Sequence, residues 1–366
     1  MIPLVDLQTQ YRSLKQEIDA AIQSVIASGQ FILGKPVRDF EQEFAAAQGV
    51  KHCVAVGSGT DALHLALWAS GLGPGDEVIT TPHTFIATLE AILLTGARPV
   101  LVDIEESSFN IDASKIEAAL SEKTKALLPV HLYGQPCDLD PLLHIASKYN
   151  LILIEDACQA HLAEYKGKKI GSFGRAAAFS FYPGKNLGAY GEAGAVVTND
   201  SDLYLKMSKL RDHGQVEKYY HEYWGHNYRM EGIQGAVLRV KLKYLEKWTA
   251  ARRRNASLYN EGLKALPAIC TPAEMPYAKH VYHLYVIRSP RRQELKKHLE
   301  KKGISTGLHY PVPLHLQKAF HTLGYEEGDF PVTEKTAGEI LSLPMYPELT
   351  EDQIQYVCDA IKEFFL

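Results

Sequence analysis

Two side chains of opposite charge give the clearest chemical signal in this chain of 366 residues. Asp156 lies near the end of the apolar run LILIEDA (151–157), and Lys185 lies in the glycine- and proline-containing segment SFYPGKNLG (180–188). A lysine amine can form a Schiff base with an aldehyde cofactor, and a carboxylate can keep the ring nitrogen of that cofactor protonated. The pair therefore predicts a pyridoxal phosphate site. Taken singly, an acid that caps a helix and a lysine at the surface are the alternatives.

A glycine-containing turn upstream is the predicted phosphate site. The segment VGSGTDALHLAL (56–67) follows an apolar run and opens a helix. Gly59 lets the backbone approach a ligand closely, Thr60 adds a hydroxyl group, and the free N–H groups at a helix start favour an anion. Ser180 could add a further hydroxyl. Taken alone, the turn is equally consistent with a capped helix that binds nothing.

Two further side chains follow predicted strand ends. Phe85, in TPHTFIAT (81–88), could stack on the pyridine ring of the cofactor, with core packing as the alternative. Gln159, about one helical turn after Asp156, could reach the hydroxyl group of the same ring. Both side chains therefore belong to the predicted cofactor site.

The elements that must position these residues alternate along the chain. From about Gly49, short apolar runs are separated by helix-like segments, which is typical of a largely parallel sheet covered by helices on both faces. Ligands of such sheets bind beyond the carboxyl ends of the strands. The predicted strands are HCVAV (52–56), EVITT (77–81), PVLVDI (99–104), ALLPVHL (126–132), LILIE (151–155), AAFSF (177–181) and GAVVT (194–198).

The chain is long enough for two domains. The alternation of strands and helices predicts an α/β protein. Residues 1–245 would form an N-terminal helix and a large cofactor-binding domain, and residues 246–366 a smaller C-terminal α/β domain. The other predicted elements are a helix within 1–30, a long helix over much of 232–265, a strand at 283–289, and helices at 291–303 and 351–365.

The composition excludes several other classes of protein. A net charge of −4 gives no basic excess for binding nucleic acid or an anionic membrane. We expect no membrane span and no signal peptide. The five scattered cysteines predict neither disulfides nor a zinc site, and they fit a reducing cytoplasm. His280 and His283 would face opposite sides of a strand, so no metal site is expected.

The ordered motifs resemble the sugar-nucleotide aminotransferases of the DegT/DnrJ/EryC1/StrS family, which have the fold-type I aminotransferase architecture. The resemblance covers nearly the whole chain. Leu162 stands where the family often has glycine, and GEAGAV (191–196) stands where GDGGAV is common, but the cofactor residues are intact. The matching segments are IPLVDLQTQY, GQFILGKPVRDFE, SGTDALHLAL, GPGDEVITTPHTFIAT, PVHLYGQP, EDACQA, SFYPGKNLG, GHNYRM, HYPVPLH and LSLPMYP.

The resemblance implies a role for each candidate residue. Lys185 would bind the cofactor covalently, Asp156 would pair with its pyridine nitrogen, and Gln159 would lie beside its hydroxyl. Phe85 would stack on the ring. The residues implied for the phosphate are Gly59, Thr60 and Ser180. Those implied for the substrate are Arg229, His309 and Tyr310. The resemblance also implies that Asn227 reaches the phosphate of the neighbouring subunit, so the working unit would be a homodimer with shared active sites.

The implied activity is a ping-pong transamination, in which glutamate supplies an amino group and a nucleotide-linked keto-sugar accepts it. SFYPGKNLG resembles the branch that acts on 3-keto sugars, which favours a dTDP- or UDP-3-keto-hexose. A 4-keto-sugar aminotransferase and a non-catalytic regulator are the alternatives, whereas a dehydratase of the same fold would have histidine in place of Lys185. The nucleotide, the sugar substituents, the stereochemistry, the pathway and assembly beyond a dimer stay open.

Overall fold

A seven-stranded sheet forms the centre of the protein in the computed structural model, which describes residues 1–365. In chain order its strands are β1 His52–Val56, β2 Glu77–Thr80, β3 Arg98–Leu101, β4 Thr124–Leu127, β5 Ile152–Asp156, β6 Ala176–Ser180 and β7 Gly194–Thr198. Their spatial order is β1-β7-β6-β5-β4-β2-β3. The neighbouring strands from β6 to β3 in this order pair parallel, whereas β7 runs antiparallel to both β1 and β6. The predicted, largely parallel α/β sheet is therefore confirmed.

Helices cover both faces of the sheet, as the apolar strands require. Successive side chains of a strand point to opposite faces. On β6, Ala177 and Phe179 therefore pack in one core with Phe44, while Ala176 and Ala178 pack in a second core. The helices are α1 Leu7–Ser28, α2 Gly34–Gln48, α3 Gly59–Ala69, α4 Ala87–Leu94, α5 Leu139–Lys148, α6 Ser201–Leu210, α7 Gly232–Leu242, α8 Leu245–Leu263, α9 Arg292–Lys301, α10 Pro331–Glu339 and α11 Glu351–Phe365.

Short elements connect the main ones. A hairpin pairs Gln215–Glu217 with Tyr220–His221. A small sheet combines Ala278–Lys279, Glu164–Tyr165 and Lys168–Lys169. The 3-10 helices are Ala113–Lys115, Glu117–Ala119, Leu132–Gly134, Leu314–Leu316 and Lys318–Leu323.

The predicted long helix over 232–265 is wrong, because it is two helices, α7 and α8. The break falls at Lys243 and Tyr244, and Tyr244 has φ −103° and ψ −8°. The two helices also bury their apolar sides against different partners, since α7 packs on α1 and α2 and α8 packs on α11. Because α7 and α8 pack on different helices, the chain changes direction between them. Sequence periodicity alone did not reveal this change.

The C-terminal part has its own apolar cluster. Strands β8 Tyr285–Arg288 and β9 Ile340–Leu343 pair antiparallel within it, and the predicted strand at 283–289 is confirmed in a shorter form. Ile2 joins this cluster and pairs with Ile304. The N-terminal residues therefore pack with the C-terminal part, and the domain boundary at residue 245 stays a prediction.

The expected strand geometry of His280 and His283 is wrong. Both residues precede β8 in an irregular segment, where the rings of His280 and Tyr282 stack 3.9 Å apart. The backbone N–H of Tyr282 donates a hydrogen bond to Nδ1 of His280, which fixes that ring in place. Separately, none of the helices described here is long and apolar enough to span a membrane.

Candidate active site

Asp156 provides a buried carboxylate at the carboxyl end of β5. Its side chain is 4% exposed. Oδ2 accepts a hydrogen bond from Thr88 Oγ1 at 2.8 Å, and Oδ1 accepts one from the backbone N–H of Cys158 at 3.2 Å. A carboxylate has about four acceptor positions, so these two bonds leave capacity for another donor. Since a buried carboxylate without sufficient partners is costly, the site suits a protonated ring nitrogen.

The preceding acid, Glu155, faces the other side of the sheet and is fully buried. Its two oxygens accept hydrogen bonds from His131 Nε2 at 3.2 Å and from the backbone N–H groups of Gly171, Phe173 and Gly174 at 3.0, 3.2 and 2.9 Å. Four donors satisfy this carboxylate completely. Glu155 therefore holds the fold, and Asp156 is the acid available to a ligand.

Lys185 lies in the loop that follows β6, next to β5. Because Asp156 is in register with Ala178 of β6, the loop begins close to the carboxyl end of β5. Burial lowers the pKa of the Lys185 amine, while the nearby Cys158 and Asp156 raise it. An amine with a lowered pKa more readily loses the proton that prevents attack on an aldehyde. The side chain is only partly covered, so a ligand can reach it.

A polar and aromatic wall stands beside these two charged groups. Gln159 Oε1 accepts a hydrogen bond from the backbone N–H of Tyr133 at 2.7 Å, and its Nε2 donates one to the hydroxyl oxygen of Tyr310 at 3.3 Å. The ring of Phe85 lies 5.5 Å from the ring of Tyr310. Phe85 is half exposed, so its ring is not part of the core and can contact a ligand.

The predicted phosphate turn adjoins the end of β6. The hydroxyl oxygen of Ser58 accepts a hydrogen bond from the backbone N–H of Asp61 at 3.0 Å and caps α3. A Cβ atom on Gly59 would lie 2.6 Å from Cβ of Ser180, so only glycine permits this approach. Gly59, Thr60 and Ser180 therefore lie together at the N-terminus of an eleven-residue helix, a setting that favours an anion.

The predicted substrate-side residues are placed less uniformly. His309 and Tyr310 lie at the site: Nδ1 of His309 is 2.8 Å from the hydroxyl oxygen of Ser342, and burial lowers the pKa of His309 to about 4. Arg229 lies beside the phosphate turn, where its backbone pairs with Val56 and its guanidinium donates to Asp212 Oδ1 at 2.8 Å. The ion pair with Asp212 was not foreseen.

Asn227 is exposed and does not meet the other candidate residues within this chain. Its backbone pairs with Asp212. It lies beyond the hairpin, which ends at His221, and two residues before Arg229. Whether its side chain serves a neighbouring subunit stays a prediction.

Sequence reasoning missed three residues that shape the site. Thr84 and Thr88 share a hydrogen bond of 2.8 Å, and Thr88 donates to Asp156. Two threonines four residues apart, just beyond a strand end, gave a usable signal. Tyr133 donates its hydroxyl to the backbone oxygen of His309 and has φ 58°, which nothing in its sequence context indicated.

The geometry supports a cofactor with an anionic end and a basic ring. The glycine turn at Gly59, Lys185 and the Asp156 carboxylate, which has free acceptor positions, lie at one edge of the sheet. Surface grooves of about 370 and 430 Å³ lie elsewhere, along α1, α2 and α7 and beside Tyr204, and none of the candidate residues lines them. The residues present at this edge of the sheet therefore fit pyridoxal phosphate.

Comparison with known proteins agrees with this geometry. A family model described as the DegT/DnrJ/EryC1/StrS aminotransferase family matches residues 12–362. A pleiotropic regulatory protein of Geobacillus stearothermophilus is 49% identical over 366 residues, which are 100% of this chain and 98% of the relative. The dTDP-3-amino-3,4,6-trideoxy-alpha-D-glucose transaminase of Streptomyces venezuelae is 46% identical over 363 residues, which are 99% of this chain and 96% of the relative.

A solved structure is similar over the same length. The crystal structure of DesV from S. venezuelae, in complex with a ketimine intermediate, has a TM-score of 0.97 to this chain at 46% identity. The match covers 99% of this chain and 98% of the DesV chain.

Proposed function

The chain belongs to the DegT/DnrJ/EryC1/StrS aminotransferase family, and on that premise we propose that it transfers an amino group from glutamate to a nucleotide-linked 3-keto-hexose with pyridoxal phosphate as its cofactor. The observation that carries this proposal is that Lys185, whose pKa is lowered, lies at the same edge of the sheet as Asp156, whose carboxylate has free acceptor positions. When bound, the cofactor supplies an electron-accepting ring and carries the amino group between the two half-reactions.

Each residue of the site has a defined task in this proposal. Asp156 holds a proton on the ring nitrogen, and Thr88 orients the carboxylate that does so. Phe85 and Gln159 orient the ring, and Tyr310, which accepts a hydrogen bond from Gln159, faces the substrate. The Nζ atom of Lys185 takes a proton from the substrate carbon and returns one later as general base and acid. Its lowered pKa favours the unprotonated amine that takes up this proton.

The keto group at carbon 3 is supported by the name of the S. venezuelae relative, a dTDP-3-amino-sugar transaminase, and by the segment SFYPGKNLG. Amination at carbon 4 is the alternative. A panel of dTDP- and UDP-linked 3-keto and 4-keto sugars, with mass spectrometry of the products, separates the two. Turnover of 4-keto sugars alone would overturn the assignment to carbon 3.

A regulatory role without catalysis is the second candidate function, because the Geobacillus relative is named a pleiotropic regulatory protein. A regulator has no need of a reactive lysine, a carboxylate for a ring nitrogen and a phosphate turn together. Those three features all lie at one edge of this sheet, which favours the enzyme.

The test is the visible absorption spectrum of the purified protein with pyridoxal phosphate, before and after glutamate is added. We expect the band of the lysine-bound cofactor to appear and then to give way to the band of the amino form. A band that glutamate leaves unchanged would refute glutamate as the donor. The absence of any band would favour the regulator.

We also propose a homodimer with shared active sites. The hairpin and the segment that leads from it to Asn227 expose Tyr219, Tyr220 and Trp224, whose exposed fractions are 79%, 69% and 94%. Contiguous exposed aromatic residues are typical of interaction surfaces. A second subunit that covers them would also meet Asn227. Sedimentation equilibrium would show a monomer if this proposal is wrong.

The place of action proposed is the cytoplasm. Cys53, Cys137, Cys158, Cys270 and Cys358 are free thiols, and free thiols are usual in a reducing compartment. Fractionation of cells that express the tagged chain tests this placement.

A further inference from the structure

A buried lysine that the proposed reaction does not use lies against the Lys185 loop. Lys241, on α7, is 1% exposed. Lysine is almost never buried this fully unless it has a partner, because its ammonium group loses its hydration. Nζ of Lys241 donates a hydrogen bond to the backbone oxygen of Gly188 and lies 5.1 Å from the centre of the Tyr190 ring. Its partner is therefore the backbone three residues after Lys185.

The loop that carries Lys185 is closed on itself. The backbone N–H of Lys185 donates to the oxygen of Tyr182 at 2.8 Å, and that of Ala189 donates to the oxygen of Phe181 at 2.7 Å. A Cβ atom on Gly188 would lie 2.2 Å from the backbone oxygen of Pro183, so the two ends of the loop touch. A displacement of Gly188 therefore displaces the backbone of Lys185.

Helix α7 holds this loop at two points. Gln234 Oε1 accepts a hydrogen bond from the backbone N–H of Tyr190 at 2.9 Å. Lys241 follows Gln234 by seven residues, about two helical turns, so both side chains leave the same side of α7. The helix itself packs on α1 and α2. The loop is thus tied to a rigid part of the fold.

The charge of Lys241 depends on its surroundings. Burial lowers the pKa of Lys241 to about 8, and the Glu348 carboxylate raises it. Arg252 shares Glu348 as a neighbour, and the ring of Tyr190 faces the ammonium group. At neutral pH the hydrogen bond to Gly188 is charge-assisted and therefore strong. Above about pH 8 it becomes a weaker bond from a neutral amine.

We propose that Lys241 is a positioning residue for the reactive lysine: its hydrogen bond to Gly188 fixes the loop that carries Lys185 against α7. The inference rests on the proposed function for the role of Lys185, whereas the anchoring of the loop does not. Loss of the anchor leaves the substrate contacts in place but misorients the amine during proton transfer. The turnover number therefore falls much more than KM changes.

The test compares Lys241→Met with Lys243→Met, a control on the exposed side of the same helix end. Amide hydrogen exchange is measured with and without bound pyridoxal phosphate, and kcat and KM are measured on the loaded enzyme. In Lys241→Met we expect exchange in residues 181–190 to be about tenfold faster or more, with β5 unchanged. We expect kcat to fall by about 10- to 100-fold and KM to stay within about threefold. Lys243→Met should match the wild type.

Two results would overturn the proposal. One is unchanged exchange in residues 181–190 of Lys241→Met, and the other is an equal acceleration throughout the chain, which would indicate general destabilisation. If the variant does not fold, wild-type protein at pH 7 and pH 9 decides the matter. After correction for intrinsic exchange rates, residues 181–190 should lose protection selectively at pH 9, and equal protection would refute the anchor. A protein that never binds the cofactor would refute the proposed function but leave these exchange results valid.

Discussion

At the scale of single residues, Glu155 and Asp156 are adjacent acids with different surroundings. Glu155 accepts hydrogen bonds from four donors, whereas Asp156 accepts two. The number of donors separates a structural carboxylate from one that can serve a ligand. Sequence alone gives both acids the same position at the end of an apolar strand.

Asp156→Asn should slow both half-reactions while leaving the fold intact. An amide cannot hold a positive charge on the ring nitrogen, so we expect a loss of about 100-fold or more in rate, roughly 3 kcal/mol. Single-turnover measurements with glutamate and with the keto-sugar test this. The matched control is Glu155→Gln, which should lower the free energy of unfolding by about 1–3 kcal/mol. Equal rates in Asp156→Asn and the wild type would contradict the role of Asp156.

Lys185→Ala should abolish turnover and covalent binding of the cofactor, because the proposed Schiff base forms with the Lys185 amine. Denatured, borohydride-treated protein would then carry no cofactor by mass spectrometry. Lys318→Ala removes an exposed lysine and should behave as the wild type. Full activity of Lys185→Ala would refute the assignment.

At the scale of elements, the start of α3 lies against Ser180 at the end of β6 because Gly59 has no side chain. Gly59→Ala would place a Cβ atom 2.6 Å from Cβ of Ser180. We expect this crowding to cost about 1–3 kcal/mol in stability and to weaken pyridoxal phosphate binding about tenfold, as measured by absorbance titration and urea unfolding. Gly338→Ala has free space around its new atom and should change stability by less than about 1 kcal/mol. Wild-type cofactor affinity in Gly59→Ala would contradict this account.

The strands were predictable from the sequence because a buried parallel strand is a continuous apolar run. HCVAV and GAVVT match β1 and β7 in both bounds. The run ALLPVHL does not, because β4 ends at Leu127 before Pro129 and the 3-10 turn at Leu132–Gly134 follows. An apolar run reports burial, but it does not report where the hydrogen bonds between strands stop.

The approach of Lys185 to Asp156 could be anticipated from residue types and strand ends, while the roles of the two side chains stay predictions. The parts of the site whose geometry depends on contacts between residues distant in sequence were not predictable. The hydrogen bond from Tyr133 to Gln159 spans 26 residues, and the bond from Lys241 to Gly188 spans 53. The break between α7 and α8 likewise depends on partners distant in sequence. Local sequence patterns contain no information about contacts over such sequence separations.

At the scale of the whole molecule, buried histidines predict a loss of stability in mild acid. Burial lowers the pKa of His64, His83 and His309 to about 4 and of His161 and His280 to about 3. Between about pH 6.5 and pH 4 the unfolded chain therefore binds protons that the folded chain does not. The free energy of unfolding should fall as pH falls through this window, by up to about 1.4 kcal/mol per pH unit for each histidine.

Asp61 opposes this trend, because burial raises its pKa to about 6 and its protonation then favours the folded state as pH falls. Glu105 and Glu348 act in the same direction as Asp61, because burial raises their pKa values too. The five histidines outweigh these three carboxyl groups. Urea unfolding at pH 7.5, 6.5 and 5.5 measures the net slope. A free energy of unfolding that stays constant over this range would contradict the prediction.

Shared active sites predict that two inactive variants restore each other. Lys185→Ala and Asn227→Ala should each be inactive or weak as homodimers. After their subunits are exchanged, about half of the dimers are mixed and each mixed dimer has one intact site, so about a quarter of the wild-type activity should return. Mixing Lys185→Ala with Asp156→Asn is the control and should restore nothing if both residues act within one subunit. No recovery with Asn227→Ala would place Asn227 outside the partner's site.

The contact between Gly59 and Ser180 also sets the distance between the anion-binding turn and Asp156. The close contact of Gly59 with Ser180 holds the anion-binding helix start over the end of β6, and backbone pairing fixes β5, with Asp156, one strand away at about 5 Å. Neither the helix start at Gly59 nor the carboxylate of Asp156 can therefore move apart to accommodate a longer ligand. The protein should therefore select its cofactor by size as well as by charge. A synthetic analogue whose phosphate arm is one methylene longer should bind poorly, although it keeps every functional group of the natural compound.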